Sequence, residues 1–165
     1  MSLYDRSVPV FMHGLTALSG VLAKAEDNCS LRKIDPAVML NDRLAPDMFN
    51  TIRQVQIATD HTRRAPARLA GTEPLAVADT ETSFAELQDR IARSKESLLT
   101  FDRAAIDAGE AREIRFKAGP RELEFTGNTY LNYFALPNFY FHMSIAYAIL
   151  RKNGVPVGKV DFLGG

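Results

Sequence analysis

Near the end of the chain a strongly apolar stretch, LPNFYFHMSIAYAIL (Leu136–Leu150), is broken by Asn138 and His142. They stand four residues apart, so on a helix they lie one turn apart on the same face. A buried amide or imidazole left without a partner costs about 1–3 kcal/mol, so each side chain must find one. Earlier in the chain, Gln56 and Asp60 share the same spacing. If the two faces meet, Gln56, Asp60, Asn138 and His142 line one polar pocket. Three uses follow. The pocket binds a small molecule, it holds a divalent metal with His142 as the nitrogen ligand, or Asp60 orients His142 as a general base. A fourth reading is architectural, a hydrogen-bonded core network that fixes helix register.

The elements that must position these residues are helical. Tyr4, Val8, Phe11, Leu15, Leu18, Leu22 and Ala25 recur in steps of four and three and predict a helix from about Leu3 to Asn28. Asp35-Pro36 opens a short helix. Pro46 opens a second long one, with Met48, Ile52, Val55, Thr59, Thr62 and Leu69 as its weaker stripe; Pro66 kinks or shortens its last turns and Gly71 ends it. Ser83 to Glu86 forms a capping box before a helix running to Ile106. Residues 113–126 change to alternating polarity around Ala118-Gly119-Pro120, a short hairpin. The final helix runs from Pro137 to about Asn153, followed by an extended tail anchored by Phe162 and Leu163. The fold expected over residues 1–165 is one all-α domain, an up-and-down four-helix bundle with a small β-hairpin before the last helix.

Composition narrows the function classes. Twenty basic residues balance twenty acidic ones, so no net field favours nucleic acid or an anionic membrane as partner. One cysteine, Cys29, excludes an internal disulfide and a multi-cysteine metal site. No apolar run is expected to reach the length of a membrane span, and a cytoplasmic location is expected. Seven of the fifteen aromatic residues fall between Tyr130 and Tyr147. Most are expected to pack beneath the hairpin and tail, with two or three lining a pocket or a subunit interface. His13 reads as a surface residue, and His61, next to Asp60, as a reserve ligand pointing elsewhere on the helix.

The blocks RKIDP (Arg32–Pro36), RLAPDMF (Arg43–Phe49), RQVQIATD (Arg53–Asp60), RLAG, SFAEL, YLNYFALPNFYFH and AYAILRKNGV span essentially the whole chain. Together they resemble an uncharacterised domain-of-unknown-function family of bacteria and fungi, grouped with the DinB/YfiT-like four-helix bundles. The resemblance implies a DinB-like bundle, frequently a homodimer. It also implies a divalent-metal site built from one histidine on the second helix and two on the last. His142 matches the second last-helix histidine, nine residues before Arg151; Asn138 takes the place of the first, and Gln56 lies nearest the second-helix position. One histidine of three is present, and neutral amides are weak ligands for zinc or nickel. The leading expectation is a small-molecule-binding bundle. The alternatives are a metal-dependent transferase or isomerase using His142, and a dimeric interaction module.

Overall fold

The computed structural model describes all 165 residues. Four long helices form the bundle: α1 (Val8–Arg32), α3 (Thr51–Ala70), α4 (Phe84–Leu99) and α7 (Leu136–Lys152). Two short helices, α2 (Pro36–Asn41) and α5 (Arg103–Asp107), lie in the connections. β1 (Glu113–Ala118) and β2 (Arg121–Thr126) form one antiparallel hairpin, and α6 (Gly127–Tyr130) leads toward α7. α3 is the hub, packed along both α7 and α4, while α1 lies chiefly against α4. This is the expected bundle with its hairpin in the expected place.

Local chemistry moves several boundaries. α1 begins at Val8 rather than Leu3, because residues 3–7 form turns in which the Ser7 hydroxyl donates to the Leu3 carbonyl at 2.8 Å. Its core stripe is as expected, with Phe11, Leu15, Leu18, Leu22 and Ala25 all buried. α1 is also long and apolar enough to cross a membrane by length and composition, with a window of mean hydropathy 1.3. That corrects the expectation that no such run exists. Half of that window is buried against the other helices.

α3 starts at Thr51, not Pro46, because the Asn50 side chain accepts the Arg53 amide and sets the first turn. Pro66 neither shortens nor ends it; the helix runs to Ala70 and stops at Gly71, whose φ of 77° places it in the left-handed region. α4 ends at Leu99 instead of continuing to Ile106, since Asp102 caps a separate helix by accepting the Ala105 amide.

The hairpin pairs Glu113 with Thr126 and Ala118 with Arg121. Phe116 and Phe125 lie on its inner face against Tyr130 and Phe134, and the Arg68 guanidinium sits 3.8 Å from the Phe116 ring centroid. Of the seven clustered aromatics, Tyr130 and Phe134 pack beneath the hairpin and Tyr147 against the tail, fewer than expected; Phe139 packs on Phe11 in the core. The chain then passes from α6 through one π-helical turn (Leu131–Ala135) directly into α7. α7 is less enclosed than its composition suggests: Pro137, Tyr140, Phe141 and Ser144 are exposed, and Tyr133 in the preceding π-helical turn continues the same face. At the C-terminus the expected extended tail contains a short helix, α8 (Lys159–Phe162). Phe162 packs on Tyr147, whereas Leu163 is exposed and serves through its carbonyl, which accepts from His13.

Backbone contact is closest where α3, the α5–β1 connection and α6 meet. A Cβ on Gly109 would lie 2.0 Å from the Leu69 carbonyl oxygen, and one on Gly127 would lie 2.0 Å from the Gly109 carbonyl oxygen.

Candidate functional site

α3 carries two polar faces. On a helix, positions 54 and 61 nearly coincide in direction, whereas 56, 60 and 63 point to the opposite side. The structure follows that division, and Gln56, Asp60, Asn138 and His142 do not line one pocket.

Gln56 and Asp60 face α4 and the connection between α3 and α4. At the centre lies Arg90, which is 1% exposed. Its guanidinium contacts Asp60 at 2.9 Å, Asp79 at 3.0 Å and Glu81 at 3.0 Å. It also donates to the Thr59 hydroxyl at 2.7 Å and the Ala78 carbonyl at 3.0 Å. Gln56 donates its amide to Glu81 at 2.9 Å. Asp60 further pairs with Arg63 and Arg64. Burial acts to raise the Glu81 carboxyl, but hydrogen bonds from its backbone, Arg90 and Gln56 outweigh it and hold the group below its ordinary value. Arg53 pairs with Asp79, so residues 78–81 are pinned to the bundle by two arginines.

Next to this network opens a cavity of about 380 Å³ between α3, α4 and the α3–α4 connection. Arg63, Arg90 and Arg93 line it, together with Ser94, Ser97 and an apolar side of Ala67, Leu75, Val77 and Phe101.

His142 belongs to the opposite face. Its Nδ1 lies 2.7 Å from the Gln54 side-chain oxygen. The Gln54 NH₂ group donates to the Phe49 carbonyl at 3.1 Å, which turns its oxygen toward the imidazole. That arrangement assigns the proton to Nδ1 of His142 and leaves Nε2 as an acceptor. Gln54 therefore orients His142; Asp60 does not, its carboxylate being held by arginines. The second imidazole, His61, stacks on His142 with centroids 6.2 Å apart and planes 17° from parallel. Its Nδ1 is buried without a partner. Asn138 donates to the Phe134 carbonyl, one turn back in its own chain, at 2.7 Å.

This donor set does not suit the divalent metal implied for DinB-like bundles. No group of three or more His, Cys, Asp or Glu side chains is arranged to hold a metal ion, and a neutral amide with two near-parallel imidazoles is a poor shell for zinc or nickel.

Burial, aided by the nearby charge of His142, pushes the His61 imidazole down to about 3. Burial, with Arg53 nearby, pushes His142 down to about 4. Both rings are neutral at pH 7. Below about pH 6.5 the unfolded chain binds protons that the folded chain refuses, so the stability conferred by neutral burial is complete above that value and is lost toward pH 3–4. The slope is at most about 1.4 kcal/mol per pH unit for each histidine. Urea denaturation of wild type at pH 7 and pH 5 should show this loss, and His61→Gln should flatten the difference. Equal pH dependence in both proteins would exclude His61 as its source.

Sequence reasoning had not placed Gln54, Glu81, Arg63 or Arg90 in a site. Arg90 left a legible signal, since it falls between Leu87 and Ser94 on the buried stripe of α4.

The bundle, its hairpin and its helix order define a DinB-like protein. A crystal structure of a DinB family member protein from Shewanella denitrificans superposes with a TM-score of 0.89 at 43% sequence identity, covering 99% of this chain and 92% of that one. The chain belongs to the family described as "Domain of unknown function (DUF1993)", which matches residues 3–163. No curated protein matches it.

Proposed function

We propose that this protein is a small-molecule-binding bundle whose site is the cavity between α3, α4 and the α3–α4 connection. The observation behind this reading is the cavity itself: about 380 Å³, with buried arginines on one side and Ala67, Leu75, Val77 and Phe101 on the other. Its size and mixed lining are those of ligand sites in general. Gln56 and Asp60 take part as the supports of Arg90 and Arg63, while Asn138 and His142 lie outside it. Ligand-observed NMR with a fragment library tests the reading. Fragments that bind wild type should fail to bind Ser97→Trp, in which an indole fills the cavity from a half-buried position on α4. If no fragment distinguishes the two folded proteins, the reading falls.

The same proposal includes a cytoplasmic homodimer. Tyr133 in the π-helical turn and Tyr140 and Phe141 on α7 are 77%, 37% and 53% exposed along one continuous face, an aromatic strip of the kind that marks subunit contacts. Cys29, the one cysteine, is unpaired and buried, in keeping with a reducing compartment. Sedimentation over a concentration series should show a dimer in wild type and a monomer in Tyr133→Ser/Phe141→Ser. A monomeric wild type at all concentrations overturns the dimer.

A further inference from the structure

The charges around the cavity are unequal. Arg63, Arg90 and Arg93 line it against a single acidic residue, Glu73. Arg90 is saturated by Asp60, Asp79 and Glu81. The other two are not. Arg63 is 8% exposed, and although its terminal nitrogens reach Asp60 and the Leu75 carbonyl, its buried Nε–H has no acceptor. A buried guanidinium donor without an acceptor is costly, and where it borders a cavity a water, an ion or a ligand can supply the missing oxygen. Arg93 is exposed and has no carboxylate within ion-pair distance. Since Arg93 and Ser97 lie one turn apart on α4, the cavity edge presents a free cation beside a hydroxyl.

From this asymmetry, and resting on the small-molecule reading above, we infer that the ligand carries one anionic head, a carboxylate or a phosphate monoester, on a compact apolar body. The head lies between Arg63 and Arg93, where the Ser97 hydroxyl can add a contact, the Ser94 hydroxyl being already donated to the Arg90 carbonyl at 2.8 Å. The body lies against Ala67, Leu75, Val77 and Phe101. Both head groups offer oxygen acceptors matched to guanidinium geometry, and charge-assisted bonds of this kind are about twice as strong as neutral ones. A neutral oxygen acceptor could satisfy the Arg63 Nε–H but would leave the Arg93 charge uncompensated, and a cation would satisfy neither. Asp60 and Glu81 complete the arrangement from behind: they neutralise Arg90 but do not line the cavity, so they do not repel an anion at its centre.

Calorimetric titration with matched probes tests the inference. The panel contains aryl- and alkyl-carboxylates, their amides and phosphate monoesters of the same carbon skeletons, with inorganic phosphate as a head without a body. At least one acid or phosphate should bind wild type tenfold or more tightly than its amide. Arg93→Gln should erase most of that ratio and Ser97→Trp should abolish binding, both variants melting as wild type does. Inorganic phosphate should bind far more weakly than the monoesters. If acids and amides bind equally and Ser97→Trp stops both, the small-molecule reading stands and the anionic head is refuted. If acids bind but neither variant changes their affinity, they bind elsewhere and the inference is overturned. If no probe binds, both readings fall. The two sources of the head separate in the same panel, by whether carboxylates or monoesters bind more tightly.

Discussion

Replacing Arg90 by methionine is expected to destabilise the protein by about 3–5 kcal/mol, the cost of leaving buried charges without their partner. Arg90 is 1% exposed and contacts Asp60, Asp79 and Glu81. Removal strands Glu81, which is 7% exposed and would retain only the Gln56 amide as a side-chain partner. Asp60 keeps Arg63 and Arg64, so most of the loss should arise at Glu81. The double variant Arg90→Met/Glu81→Gln separates the contributions. It removes both a cation and an anion and should recover a substantial part of the loss, because the remaining group is no longer a bare charge. Urea denaturation of the four proteins of the cycle measures this. An Arg90→Met loss below about 1 kcal/mol, the range of surface ion pairs, would mean the network is far wetter than it looks. Residues 78–81 should loosen in the same variant, since Arg90 also holds the Ala78 carbonyl, and hydrogen exchange across the α3–α4 connection should rise.

Gly109→Ala is expected to be, with Gly127→Ala, among the most damaging single-methyl substitutions in the chain. The new Cβ would fall 2.0 Å from the Leu69 carbonyl oxygen, an atom of the α3 backbone. A side chain could rotate away from such a clash; the end of a packed helix cannot do so without moving. Overpacking in cores costs about 1–3 kcal/mol, and backbone clashes belong at or above the top of that range. Gly127→Ala meets the Gly109 carbonyl oxygen at the same distance and should behave alike. Gly20→Ala is the control, because nothing lies within 4 Å of that position and alanine is the better helix former. Thermal melts of the three variants give the ranking. Gly109→Ala melting with Gly20→Ala would show that the junction yields more readily than its close packing suggests.

Much of the fold was readable from periodicity, and the reasons for its failures are local. The α1 stripe and the hairpin alternation carried clear signals because packing repeats along them. Helix starts were harder. Pro46 and Asn50 are both acceptable openings, and the choice fell to the Asn50 side chain bonding the Arg53 amide, which pattern alone does not rank. The Asp102 cap likewise ended what looked like one continuous helix. For the site, the pairing of Gln56 with Asp60 was legible from their spacing, and so was the need of His142 for a polar partner. What could not be read was helix rotation. A rotation of α3 by about half a turn decides whether α7 meets Gln54 and His61 or Gln56 and Asp60, and both faces hold an amide. The decisive partner, Glu81, lies in a connection without periodicity, where spacing says nothing about who meets whom.

The hairpin leaves the bundle and returns at one spot. Gly127 donates to the Arg112 carbonyl at 2.8 Å and Asn128 to the Glu110 carbonyl at 3.0 Å, so both ends of the excursion are tied together at its base. A Cβ added at its tip, Gly119, would meet nothing within 4 Å. A whole additional module could be spliced between Gly119 and Pro120 and would hang from a ready-made stalk, leaving the order and spacing of the helices as they are. A bundle built this way can acquire new cargo through a single genetic insertion.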